Sequence, residues 1–442
     1  MKQKNKLRIG CGAGFSGDRL EPALILLEKG GLDYLVLECL AERTIALAQK
    51  RKLADPSAGY DPLLERRIEL LLPLLKKNNT KLLTNMGAAN PVAGAEKIIE
   101  IARRLNIAIK VAAVTGDDVF EYISGNETAL ETGKPISFSG ELISTNAYLG
   151  IDAILPALQT GADIIITGRV ADPSLFIAPM VHEFGWSLDD TDIIGKGTVT
   201  GHLLECAGQI CGGYFADPVN KPVAGLDILG HPFADINPDG SASISKVKDT
   251  GGMITLATAK EQLLYEVTDP NAYMTPDVIA DFTTVYLKEA GKDIVEVTGG
   301  SGKQKPFTLK VSVGYKAGFI GEGEITYAGA HALERAQLAG EIICKRIGNK
   351  FTDFRIDYIG SSSVHWPSLA VNNHPYEIRL RIAGKAATAA EAAIIGEETE
   401  ALYTNGPAGG GGARRYVHEV VGIVSTLIDR NKIKSSVTIK ES

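Results

Sequence analysis

Between residues 7 and 115, short apolar runs alternate with longer amphipathic stretches, and this restricts the chain to few architectures. Residues 7–11 form a first apolar run that ends in glycines. Asp18 followed by Glu21 resembles a capping box and Pro22 suits a first helical turn. Leu24 and Leu27 continue an apolar stripe until Gly30-Gly31 stops it. Residues 34–40, 81–85 and 108–115 read as buried strands, separated by helical stretches that include 63–77 and 92–105. Parallel strands need crossover connections, so this repeated alternation predicts a mostly parallel sheet covered by helices on both faces.

The pattern loosens at 120–145, a Ser-, Thr-, Gly- and Asn-rich excursion expected to hold a short hairpin. It resumes with a helix at 151–160 and an apolar strand at 163–167. Around residue 215 the character changes, and the domain boundary is placed near residue 225. Residues 234–246 carry Asn-Pro-Asp-Gly between alternating runs, a hairpin signal. Alternating runs follow at 294–297, 307–313 and 376–382, with helices at 330–347 and 388–404. The expected fold class is therefore α/β, with an N-terminal domain (1–225) built on the parallel sheet. A second α+β domain with a mixed sheet (226–442) would contain a glycine-rich loop and a terminal helix at 415–429.

Composition removes several function classes. The net charge of −7 comes from interspersed acidic and basic residues, and no basic stripe marks a nucleic-acid footprint. No apolar run approaches the ~18 residues of a membrane span. The start MKQKNKLRIG lacks the apolar core of a signal peptide. Five scattered cysteines (Cys11, Cys39, Cys206, Cys211 and Cys344) fit a reducing compartment, so a cytoplasmic protein is expected. A homo-oligomer is expected as well.

Four patterns point toward chemistry. Gly12, Gly14 and Gly17 spell G-x-G-x-x-G between a strand and a helix, with Glu38 at the end of the next strand. That arrangement suits a dinucleotide, glycines approaching the pyrophosphate and the acid holding a ribose. The apolar Cys39 and Leu40 after Glu38 argue against a ribose. A tight turn that simply requires glycine, or an anion site using Ser16 and Arg19, stays open beside it. The second pattern gathers polar residues at strand ends, where parallel sheets bind ligands: Asn85, Gly87 and Asn90; Thr115, Asp117 and Asp118; Thr167, Gly168, Arg169 and Asp172. An arginine after a fully apolar strand needs an anion or an internal partner, and Asp172 is the nearest internal one.

The third pattern is His202, Glu205, Cys206 and Gln209, which share one face if the segment is helical. His202 and Glu205 would form an acid/base couple; metal ligation and interdomain hydrogen bonding are the alternatives. The spacing lacks a zinc signature, so no metal is assigned. The fourth is Gly409, Gly410, Gly411 and Gly412 followed by Arg414 and Arg415 and an expected helix, which together point to an anion cradle, with a flexible linker as the alternative. It lacks the Lys-[Ser/Thr] of a phosphate-binding loop for nucleotide hydrolysis.

Several of these strings together resemble the acyclic terpene utilisation family: GAGFSGDR, DYLVLECLAERT, NMGAANP, DIIITGRVADPSL, GHLLECAGQICGGYFADP, EQLLYEVTDPNAYMTPDVIADF, GFIGEGEITYAGAHALERA and LYTNGPAGGGGARR. They run in order from residue 12 to 415. The resemblance implies a catabolic role on citronellol- or geraniol-like skeletons, which are carboxylated as CoA thioesters, hydrated, and then lose acetate. Longer relatives carry an extra ferredoxin-fold piece, which implies a separately encoded small partner here. The resemblance supplies no catalytic residues.

The expected function is thus a lyase or hydro-lyase acting on a branched hydroxy-carboxylate or its CoA thioester. His202 and Glu205 would be catalytic. Ser16, Arg19, Asn85, Asn90, Arg169, Asp172, Gly409–Gly412 and Arg414 would contact the small anionic substrate. No resident cofactor is expected. A dinucleotide-dependent oxidoreductase using Gly12, Gly14 and Gly17, and a non-catalytic acyl-CoA-binding subunit, are the competing readings.

Overall fold

The computed structural model describes residues 4–138, 140–365 and 375–442. Chain contacts divide it into two units: residues 1–138, 142–314 and 423–442, and residues 139–141 with 315–422. Residue 225, the boundary expected from the sequence, lies inside the first unit.

The first unit opens with β1 (Leu7–Ala13), α1 (Glu21–Lys29), β2 (Tyr34–Leu37), α2 (Glu42–Ala54), α3 (Leu64–Asn78), β3 (Lys81–Thr84), α4 (Pro91–Arg104) and β4 (Lys110–Thr115). It continues through β5 (Leu142–Ala147), α5 (Ile151–Gln159), β6 (Ile164–Thr167), α6 (Ser174–Phe184) and α7 (Thr191–Glu205). The hairpin β7 (Pro232–Ile236) and β8 (Ala242–Lys246) follows, then α8 (Leu256–Leu264), β9 (Tyr273–Met274), β10 (Ile279–Asp281), β11 (Tyr286–Gly291), β12 (Ile294–Thr298) and β13 (Ser301–Lys303). Next comes the long β14 (Thr308–Ala328), part-way along which the chain enters the second unit. That unit holds α9 (Ala332–Ile347), β15 (Thr352–Ile359), β16 (Glu377–Ala386), α10 (Ala389–Asn405) and the first part of β17 (Gly411–Asp429). β18 (Ser436–Glu441) closes the first unit.

The fold is mixed α/β. β1, β2, β3, β6 and β4 pair in parallel, in that order. The same sheet is extended by antiparallel β7, β8, β12 and β11 beyond β1, and by antiparallel β18 beyond β4. Both faces of the parallel core are covered. α1, α3 and α4 bury Leu26, Leu71 and Ile98 against Leu35, Leu82 and Ile166, while α5, α6 and α7 pack on the other side. The second unit is an antiparallel sheet in the order β15-β16-β14-β17. α9 and α10 bury Ile343 and Ile395 against Ile325, Leu380 and Ile382.

Three local expectations need correction. Asp18 does not cap α1: its carboxylate accepts the Gly14 N–H at 2.7 Å, and the helix begins at Glu21 after Leu20. Residues 415–429 are strand, not helix. The run Val417, Val420, Val421, Ile423, Val424 and Ile428 is β-branched throughout, and such side chains fit a pleated surface better than a helix. Finally, the segment through Gln209 is not one helix. α7 stops at Glu205, and Ala207 turns the backbone into the left-handed region at φ 45°.

Candidate functional site

The loops leaving the carboxyl ends of β1, β2 and β6, together with the end of α7, border a cleft of about 1350 Å³ whose lining residues all belong to the first unit. This is where a parallel sheet leaves its polar strand ends unpaired and open to a ligand. Residues 265–276 and 306–310 supply the facing wall.

At the base stands Arg169, 1% exposed. Its backbone N–H donates to Asp117 Oδ2 at 2.9 Å, and the same oxygen accepts from Asn146 Nδ2 at 2.9 Å. Gly168 is required beside it, because a Cβ there would lie 2.4 Å from Asp117 Oδ1. The guanidinium donates to the carbonyls of Leu40 and Val170 and to the Asp172 carboxylate, and lies 4.5 Å from the Tyr148 ring centroid. The protein thus occupies most of its donors, and the internal partner foreseen from sequence, Asp172, is indeed bound. Tyr148 and Lys310 in turn donate to Glu42 Oε1 at 3.0 and 2.7 Å.

Three carboxyls interact with that guanidinium, Glu38, Asp172 and Glu205; Asp18, Glu42 and Glu266 and the cations Arg19, Arg43 and Lys310 also line the cleft. Glu38 is 7% exposed and Glu205 8%, while the Asp172 side chain is 38% exposed. Burial is the main force raising all three pKa values, Glu38 and Glu205 well above the usual carboxylate range. Asp172 raises both neighbours further and Arg169 partly offsets the effect. Asn85, fully buried, holds Glu38 in place: its Oδ1 accepts the Cys39 N–H at 2.7 Å while its Nδ2 donates to Glu38 Oε1 at 2.8 Å.

His202 and Glu205 meet as their spacing on α7 predicts, with Nδ1 2.7 Å from Oε1. Only Glu205 lines the cleft. His202 lies behind it, 1% exposed against Tyr273 and Phe282, with its backbone carbonyl accepting from Gln262. Burial lowers the histidine pKa to about 4, so the ring is neutral. Glu205 Oε2 and His202 Nε2 are both buried without a hydrogen-bond partner. Cys206 and Gln209, carried past the helix end by the Ala207 turn, also line the cleft. Among the described residues no group of three or more His, Cys, Asp and Glu side chains is arranged to hold a metal ion.

The first glycine motif has its own explanation in packing. A Cβ on Gly14 would lie 2.6 Å from the Cys206 carbonyl carbon and 2.9 Å from the Glu205 carbonyl oxygen. One on Gly12 would meet Leu37 and Ala23, and one on Gly17 the Phe15 ring. The close approach at Gly14 is thus to the end of α7, which brings Glu205 up to the cleft. Ser16 and Arg19 line the cleft, Arg19 donating to the carbonyls of Leu226 and Asp227. Asn90 does not line it: it caps α4 and donates to the carbonyls of Pro56 and Ala58. Gly409–Gly412 and Arg414 belong to the second unit. Gly409 and Gly412 have positive φ, the turn is held by Arg335 through the Ala408 carbonyl, and a strand rather than a helix follows.

A model of the acyclic terpene utilisation family protein AtuA matches residues 7–439. The chain belongs to that family. No curated protein and no solved structure matches it. For this family member, the structure adds cleft residues that sequence reasoning missed. Arg43 is exposed at the first turn of α2, and Lys310, Tyr148, His231 and Glu266 also line the site. None has a local signature, since each reaches the cleft only through long-range packing. Arg67 was equally silent within its helical run, yet it is buried and ties the carbonyls of Ser16 and Asp18 to Cys39 Sγ. No helix among the described residues is long and apolar enough to cross a membrane.

Proposed function

We propose that the cleft performs acid–base chemistry on a small organic acid or its CoA thioester, as a lyase or hydro-lyase acting on a branched hydroxy-carboxylate. The observation that carries this reading is the cluster at the base: Glu38, Asp172 and Glu205 all interact with Arg169, and that guanidinium is already engaged by Asp172. In a low-dielectric pocket two uncompensated negative charges are costly, so protons remain on carboxyls at pH values where free carboxylates have lost them. Such groups are suited to donating and accepting protons near neutrality.

Glu205 is the base in this account, acting from its ionised form, in which the raised pKa makes it a strong proton acceptor. Its Oε1 lies 2.7 Å from Nδ1 of His202, which acts as a positioning residue, its Oε2 is buried without a hydrogen-bond partner, and the side chain lines the cleft. Arg43, Lys310 and the first-turn amides of α2, which have no acceptor within the helix, supply positive potential for an anionic group. The cleft exceeds the roughly 300–1,000 Å³ typical of small-ligand sites, which leaves room for a thioester arm. Membership of the family fits a branched, terpene-derived skeleton. The dinucleotide reading lacks support, because the backbone of α7 already fills the approach at Gly14.

The test is a panel of branched 3-hydroxy acids and their CoA thioesters assayed with wild type and Glu205→Gln. A folded variant with turnover reduced about 10²–10⁴-fold is expected. Full activity in the variant removes Glu205 from the chemistry.

A further inference from the structure

We propose that Glu38 is the proton donor of the cleft, standing protonated on Oε2 at neutral pH, with Asn85 holding it in that orientation. This rests on the cleft being the acid–base site proposed above. The argument is one of valence. Glu38 Oε1 accepts two hydrogen bonds, from the Leu40 N–H at 2.9 Å and from Asn85 Nδ2 at 2.8 Å. Asn85 cannot turn its amide around, because its Oδ1 is fixed by the Cys39 N–H and the residue is wholly buried. With Oε1 facing two donors, an added proton has only Oε2 to occupy. Oε2 receives no hydrogen bond from the described residues, is not sealed from space as Glu205 Oε2 is, and belongs to a side chain that lines the cleft.

The groups around Glu38 favour the neutral acid. Asp172 on the β6 loop opposes its ionisation and Arg169 on the same loop favours it. Cys39 on its own loop, Cys11 on β1 and Cys206 at the end of α7 are neutral thiols, each with a raised pKa. Because Arg169 is bound directly to Asp172, that carboxylate is the one it neutralises. Glu38 is left in a buried site with no counter-ion of its own.

In turnover the proton balance closes without a redox partner. For loss of water, Glu205 takes the proton on the carbon next to the carbonyl, that C–H pair becomes the C=C bond, and the C–O bond breaks. The hydroxyl leaves with its electron pair and takes the Glu38 proton as water. For C–C cleavage, Glu205 takes the hydroxyl proton, the C–C pair passes to the enolate carbon, and Glu38 protonates that carbon. In both cases Glu38 ends ionised and Glu205 neutral, and solvent restores them.

Glu38→Gln is the decisive variant. Glutamine keeps the acceptor oxygen facing Leu40 and Asn85 and places an NH2 where the Oε2–H stood, so it imitates the neutral acid and lacks the proton to give. A carboxyl raised in the fold contributes stability that is lost as pH rises. The variant should therefore match wild type in thermal stability at about pH 4 and surpass it progressively toward about pH 8, while turnover falls roughly 10²-fold or more. If it is less stable than wild type at neutral pH, Glu38 is an ionised partner of Arg169 and the proposal is overturned. Undiminished turnover overturns it too. If wild type turns over no substrate in the panel, the acid–base reading falls, while the widening stability gap still establishes the protonated Glu38. Should the variant not fold, infrared titration provides the second measurement. Wild type should keep a protonated-carboxyl band above about pH 7 that shifts in Asn85→Ala. A band that is absent, or indifferent to Asn85, contradicts the proposal.

Discussion

Two clusters of acids and arginines in this chain have opposite stoichiometries. On the sheet of the second unit, Arg355 and Arg381 both donate to Asp357 at 2.6 and 2.9 Å, Arg381 reaches on to Glu322, and Arg379 lies 3.8 Å from Glu324. Three carboxyls there meet three guanidiniums. In the cleft of the first unit Glu38, Asp172 and Glu205 share the guanidinium of Arg169, which is bound to Asp172. The sheet cluster can stay fully ionised at modest cost, because every charge has a partner and Arg355 and Arg379 are about half-exposed. The cleft cluster can reach neutrality only by holding protons. Charge compensation, rather than the number of charged residues, separates a structural ladder from a site equipped for proton transfer.

The comparison breaks most visibly at Arg169. Arg169→Met removes the guanidinium that Glu38, Asp172 and Glu205 share and leaves the carbonyls of Leu40 and Val170 without a donor. A loss of about 3–5 kcal/mol is expected in denaturant unfolding. A loss below about 1 kcal/mol would mean that the carboxyls were already neutral and owed little to the arginine.

A smaller effect sharpens the electrostatic side. Burial raises the pKa of Asp117, beneath Arg169, to about 6. A raised carboxyl stabilises the fold fully below its unfolded value and loses that contribution as pH rises through the folded one. Asp117→Asn should therefore gain on wild type between about pH 4 and pH 6, by on the order of 1–3 kcal/mol, and hold a constant difference above that. Thermal melts across that range decide it; a gap of the opposite sign would make Asp117 an ionised anchor for the Arg169 loop.

The smallest change is expected on the sheet. Arg381→Met leaves Asp357 its bond to Arg355, and the Arg381 side chain is partly solvated. About 1 kcal/mol is expected. If this variant equals Arg169→Met in cost, the two clusters are energetically alike and the distinction between them is lost.

Sequence reasoning recovered the parallel sheet because burial on both faces writes itself as runs such as Ile164–Thr167, and the strand ends then located the cleft. It recovered the His202–Glu205 contact because i, i+3 is a local property of a helix. It failed where the cause was distant. The glycine of G-x-G-x-x-G looked like a phosphate turn, yet Gly14 is small because residues 205 and 206 arrive beside it. Asn85 looked like a ligand contact, yet it spends both ends of its amide on Cys39 and Glu38. The stretch after Gly412 looked like a helix because glycines and arginines at a helix start were weighed above the β-branched run behind them.

The central claim is that the cleft moves protons on a hydroxy-acid skeleton. Its most direct test is solvent deuterium incorporation, read by mass spectrometry, when wild-type protein is incubated in D2O with branched 3-hydroxy acids and their CoA thioesters. C–C cleavage delivers a solvent proton to the carbon beside the carboxyl or thioester carbonyl, and dehydration, run with the alkene product in the mixture so that hydration returns it, exchanges one there, so either reaction writes deuterium at that carbon. The account predicts label at that carbon in wild type and strongly reduced label in Glu205→Gln. Incorporation that is absent with every member of the panel, or equal in the two proteins, would contradict it.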